Sequence, residues 1–185
     1  MKITHPVYKF ILLLVLVSHP LVFPAPVGAS DETTIPSLKE FIVEVMNGEA
    51  DVLRGMYVPE LFAYSIVPQP DGSPAYVSTR KDALTQFRMA STYGSTGLLA
   101  HNYLAGDSFF RLEYGQLLYL IFGDGRVEVF VVSRFHRFQA LSPNSVTGNF
   151  VDLENGDLLS AAQLFLAVYD NPGKVVLQTC IYAKG

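Results

Sequence analysis

The sequence of 185 residues carries one cysteine, Cys180. Of its four histidines, His5 and His19 precede residue 30, which leaves His101 and His136 in the body of the chain. An imidazole beside a thiol favours the thiolate, and the thiolate is the nucleophile. A Cys–His pair is therefore the first chemistry these residue types suggest. His136 lies in Arg134-Phe135-His136-Arg137-Phe138. Strand alternation puts Arg134, His136 and Phe138 on one face, which reads as an ordinary half-exposed strand. His101 ends the apolar run Gly97-Leu98-Leu99-Ala100 and is followed by Asn102, where a strand gives way to a loop. Functional residues concentrate at such places, so His101 is the favoured base. Cys180 has two other readings, a bridge to another chain and a buried inert thiol, since free cysteine is among the most buried residue types.

Other chemistries find less support. The chain has no C-x-x-C and no H-E-x-x-H, so neither a metal centre nor a cofactor is expected. A G-x-S-x-G elbow is absent. The 17 acidic residues offer many carboxylate pairs, but no spacing marks one for glycoside hydrolysis. His101 precedes Cys180, the reverse of the papain order. The S-x-G-C-x-R arrangement of another type of cell-wall transpeptidase is also missing. A formal charge of −4, with no run of Lys or Arg, argues against nucleic acid as a partner.

These residues need a scaffold. Half of the chain is hydrophobic and 16% is charged, enough apolar material for a single core. A helix is expected over residues 35–47, opened by the capping box Ser37/Glu40 and closed by Gly48. Strands are expected over 52–58 and 61–67, with a further short one near Tyr76. Asp82 reads as the N-cap of a short helix over 82–89. After residue 97 the pattern is β. Gly123-Asp124-Gly125 between 116–122 and 126–133 is a strong hairpin signal. Residues 135–141 read as a strand, 143–149 as a loop and 154–157 as a turn. Ser160 and Gln163 form a second capping box, for a helix through Tyr169, and 174–182 is a strand carrying Cys180. This pattern fits a mainly β domain, a barrel or a sandwich, with two or three peripheral helices.

The first 29 residues read as a signal peptide. Lys2 and Lys9 give a positive start, residues 10–17 are apolar, Pro20, Pro24 and Pro26 stop a long helix, and Val27-Gly28-Ala29 offers a cleavage site. The apolar run is shorter than the roughly 20 residues that span a bilayer, so membrane attachment is expected only if the segment stays uncleaved. Residues 30–185 are then expected to be a single secreted or cell-surface domain, with a helical segment over 30–50 and the strand-rich body over 51–185.

Two stretches together resemble the sortase family. Gly97-Leu98-Leu99-Ala100-His101-Asn102, followed by Phe109-Phe110-x-Leu112 and Tyr114-Gly115-Gln116, resembles the block around that family's catalytic histidine. Val176-Leu177-Gln178-Thr179-Cys180 resembles the T-L-x-T-C block around its nucleophile. The resemblance covers roughly residues 97–182. It implies a closed or nearly closed sortase-like β-barrel. It implies a cysteine transpeptidase in which Cys180 attacks the carbonyl of a sorting signal in an exported protein, and an amine or water resolves the thioester. On this resemblance His101 is the general acid and base, Thr179 lines the substrate site, and residues 140–169 form the recognition loop. The family also carries an arginine on the strand after the cysteine, and Ile181-Tyr182-Ala183-Lys184-Gly185 holds no counterpart. Three expectations follow: the last strand lies outside this sequence, Lys184 stands in for the arginine in part, or the domain is a catalytically degenerate binding or assembly module.

Overall fold

The computed structural model describes residues 35–143, 145 and 147–180. The expected leader over 1–29 and the last five residues, with Lys184, lie outside them. The first helix, α1 (Leu38–Val45), opens as its capping box requires. Ser37 Oγ accepts from the Glu40 N–H at 3.3 Å, and Glu40 Oε2 accepts from the Ser37 N–H at 2.9 Å. Phe41 carries the buried side of α1 onto the sheet, where Gly55 makes room for it. A Cβ at Gly55 would stand 2.8 Å from the Phe41 ring.

Ten strands follow among the described residues: β1 (Leu53–Val58), β2 (Phe62–Pro68), β3 (Ala83–Phe87), β4 (Thr96–Leu99), β5 (Leu117–Phe122), β6 (Val127–Val131), β7 (Phe138–Ala140), β8 (Asn149–Asp152), β9 (Leu158–Ser160) and β10 (Val175–Gln178). Seven form one sheet in the order β10-β4-β3-β2-β1-β5-β6, and β7, β8 and β9 form a second. The pairings are antiparallel except β2 with β3 and β10 with β4. The β5–β6 turn forms as expected. Gly125 takes φ +85°, and Asp124 Oδ1 accepts from the Arg126 N–H at 2.9 Å.

Every strand of the larger sheet contributes to one core. Met56, Ile66, Leu84, Leu98 and Leu120 are buried, and Phe130 and Leu177 pack against them from the two outermost strands. A sheet whose two ends share one core must curl. It does not close, however. Among the described residues, β10 and β6 stand at opposite ends of the strand order, each bonded to one neighbour, so in place of the expected closed or nearly closed barrel there is an open half-barrel. Phe109 fills it from a 3₁₀ helix (Ala105–Arg111), with its ring 6.3 Å from that of Phe62.

Two local expectations fail for tertiary reasons. Residues 83–87 are strand, not helix, and α2 begins only at Arg88 and runs to Thr92. Asp82 does not cap a helix. Its side chain takes two 3.0 Å bonds from the Arg80 guanidinium, which holds its carboxyl below the usual range. Its carbonyl accepts from the Ser65 N–H at 3.0 Å, and the chain enters the sheet. Near Tyr76 there is no strand. The side chain of buried Gln69 donates to the Pro74 carbonyl at 2.8 Å and to that of Tyr76 at 3.3 Å, which uses the acceptors a neighbouring strand would need.

The third helix, α3 (Ala161–Tyr169), is capped by Ser160 and Gln163 as expected. Its last residue, Tyr169, is buried between Phe87 and Phe165 and lies over Gly97, where a Cβ would come within 2.9 Å of the ring. Its hydroxyl donates to Gln178 Oε1. Burial pushes the phenol well above its ordinary value. An acid held neutral by the fold contributes stability that is complete below the unfolded pKa of about 10 and is lost as pH rises beyond it. Tyr169→Phe is therefore expected to cost about 1 kcal/mol at pH 7 through the lost bond to Gln178. Urea unfolding at pH 11 should show that deficit narrowed or reversed.

Candidate active site

The strand β4 ends at Leu99 and runs parallel to β10, which ends at Gln178. Their register pairs Leu98 with Leu177 and Leu99 with Gln178. It continues past the strand ends. The Ala100 N–H donates to the Gln178 carbonyl at 3.1 Å, and Thr179 Oγ1 donates to the Ala100 carbonyl at 2.9 Å. Cys180 and His101 each lie two residues past the end of their strand, Cys180 after β10 and His101 after β4. Parallel strands bring residues distant in sequence to the same end of a sheet, and here that end carries the two groups the sequence singles out.

Cys180 is exposed and His101 is half-buried. A core thiol would be buried, so the structure does not bear out the inert reading of Cys180. Thr179 joins the two strand ends. Its hydroxyl proton is engaged with the Ala100 carbonyl, which straps one strand end to the other. The turn after His101 is equally fixed. The His101 carbonyl accepts from the N–H groups of Leu104 and Gly106, both at 3.0 Å. Gly106 is buried against the strap, and a Cβ there would lie 2.4 Å from Thr179 Oγ1 and 2.7 Å from the His101 carbonyl.

His136 belongs elsewhere. It precedes β7 of the small sheet, stacks on Phe138 and lies 3.9 Å from Glu154. Arg111 donates to Ser108 at 3.0 Å, and Arg126 is paired with Glu128 and lies over the Phe122 ring. A groove of about 380 Å³, lined by Gln69, Pro70, Pro74, Phe87, Arg88 and Met89 among others, lies at the other end of the sheet. The pairing of Phe87 with Gly97, and of Thr85 with Leu99, runs away from His101, so this groove is remote from the Cys–His pair.

The sequence did not foresee two residues, Gly106 and Tyr103. The side chain of Tyr103 lies on the His101 ring, with centroids 5.2 Å apart and planes at 24°. The only local hint is its position two residues after the histidine. Fold and geometry together define a mainly β half-barrel in which Cys180 and His101 follow the same end of two parallel-paired strands. No family model matches the chain, and no curated protein matches it. Among the described residues, no helix is long and apolar enough to cross a membrane.

Proposed function

We propose that this domain is a sortase-like cysteine transpeptidase acting outside the cytoplasm on exported proteins. The observation that carries the reading is the parallel pairing of β4 with β10, since exposed Cys180 and His101 follow the same end of those two strands. Cys180 Sγ attacks the scissile carbonyl of a sorting signal. The tetrahedral intermediate collapses, the C–N bond breaks, and His101 passes a proton to the leaving amine. An incoming amine or water, deprotonated by His101, then attacks the thioester and releases the thiolate. No metal or cofactor is needed for this sequence of steps.

The decisive experiment is alkylation of Cys180 by iodoacetamide in the folded protein at pH 7. A free thiol is only a few per cent thiolate at that pH, so an activating imidazole leaves room for a gain of roughly 10-fold over a model thiol. A rate no faster than the model thiol defeats the reading.

A second reading is a catalytically degenerate binding or assembly module on the same fold. It is favoured by the position of β10 at the edge of the sheet among the described residues, since an edge strand can accept a strand from a partner. Protection of β10 amides by a bound peptide, with no thioester formed, would select it.

A further inference from the structure

We infer that Tyr103 is a positioning residue for His101. This assignment rests on the Cys180–His101 reading and extends it to a third side chain. Tyr103 is 71% exposed, so the core does not account for its place. An exposed ring in a loop is free to extend into water. This one lies nearly flat on the imidazole, 5.2 Å between centroids and 24° between planes. The backbone beneath it is fixed. The Leu104 and Gly106 N–H groups bond the His101 carbonyl, and the Asp107 N–H bonds that of Leu104 at 3.0 Å. Ala105 and Gly106 are buried directly after the turn. Tyr103 is thus presented at a set distance from His101 by a turn that has little freedom.

The physical consequence concerns the plane of the imidazole. A half-buried histidine at a strand end rotates about two side-chain torsions, and proton transfer requires one of its ring nitrogens to face the reacting centre. A ring stacked on one face leaves rotation within the plane of the stack but opposes tilting out of it. Aromatic pairs at this separation attract one another, and an imidazolium over a phenol face is attracted further. The phenol hydroxyl is not needed for either effect, so phenylalanine should serve as well as tyrosine and leucine should not.

The test uses the full chain with the substitutions Tyr103→Leu, Tyr103→Phe and His101→Ala. The first readout is the ring-proton shift of His101 by NMR in a Cys180→Ala background, which needs no activity. Tyr103→Leu should remove an upfield ring-current shift that Tyr103→Phe retains. The second readout is turnover of a sorting-signal peptide. Tyr103→Leu should lower kcat about 3-fold to 10-fold with KM little changed, and Tyr103→Phe should restore it. Adding Tyr103→Leu to His101→Ala should cost nothing further. A loss that persists without His101, or one confined to KM, overturns the assignment and makes Tyr103 a substrate contact. An unchanged ring shift overturns the stack. A reactive Cys180 whose turnover ignores Tyr103→Leu overturns the assignment only, whereas a Cys180 no faster than a model thiol overturns the transpeptidase reading and this assignment with it.

Discussion

His101→Ala is expected to lower turnover of a sorting-signal peptide by about 10²-fold to 10⁴-fold, the range general acid–base catalysis usually supplies. The substitution should leave the fold intact, because His101 follows the end of β4 and is only half-buried. Its backbone role survives. The carbonyl that accepts from Leu104 and Gly106 is present in alanine too. The same variant should also lose the excess alkylation rate of Cys180 over a model thiol. On the proposed mechanism those two losses come from different steps, deprotonation of the thiol and protonation of the leaving amine, and a shared cause predicts that both occur. His136→Ala is the control. Its residue lies in the segment before β7, beside Glu154, and should change neither rate. If His101→Ala retains full turnover, the placement of His101 and Cys180 past the same end of β4 and β10 has no catalytic meaning.

Much of this arrangement was legible in the sequence because its signals are local. Ser37 with Glu40, and Ser160 with Gln163, satisfy helix N-termini within one turn, and both helices start where those pairs stand. Gly123-Asp124-Gly125 sets a tight turn, and β5 and β6 flank it. The failures are long-range. Asp82 resembles an N-cap, yet burial of Ala83, Leu84 and Thr85 between β2 and β4 outweighs that local preference. Thr85 even gives its hydroxyl oxygen as the acceptor for the buried Ser78 N–H, at 2.8 Å. The strands β8 and β9 are three or four residues long beside turn-forming residues, too short for a period to show. Barrel closure was expected from the resemblance, and no pattern along one chain reports whether the two outermost strands meet.

The site divides in the same way. His101 and Cys180 stand out by residue type, which needs no structure. Their placement past the same end of the sheet depends on parallel pairing of β4 with β10, to which no local signal corresponds. The helix α3 helps to set that pairing. Tyr169 packs over Gly97 on β4 and donates to Gln178 on β10, two residues before the cysteine. The helix sits in the stretch that the resemblance assigned to substrate recognition. Part of that stretch therefore braces the two strand ends.

Gly106→Ala should be the most damaging single-methyl change near the site. The backbone of Gly106 is not in the left-handed region, so the objection is space and not conformation. The added Cβ would stand 2.4 Å from Thr179 Oγ1, 2.7 Å from the His101 carbonyl and 3.0 Å from the Ala100 carbonyl. A side-chain oxygen can rotate away, but two carbonyls already serving as acceptors cannot. Overpacking of this kind costs about 1–3 kcal/mol. In a domain of this size that lowers Tm by roughly 3–10 °C. Relief must come through separation of the 3₁₀ helix from the ends of β4 and β10, which moves His101 relative to Cys180. Turnover should therefore fall by about 10²-fold even at temperatures where the variant is fully folded, since a misplacement near 1 Å carries that penalty. The double variant Gly106→Ala/Thr179→Ala separates the causes. It removes the shortest contact but not the two carbonyls, so it should recover little of either loss. Recovery of both would mean that the threonine hydroxyl was the whole obstacle and that the backbone of the His101 turn has slack.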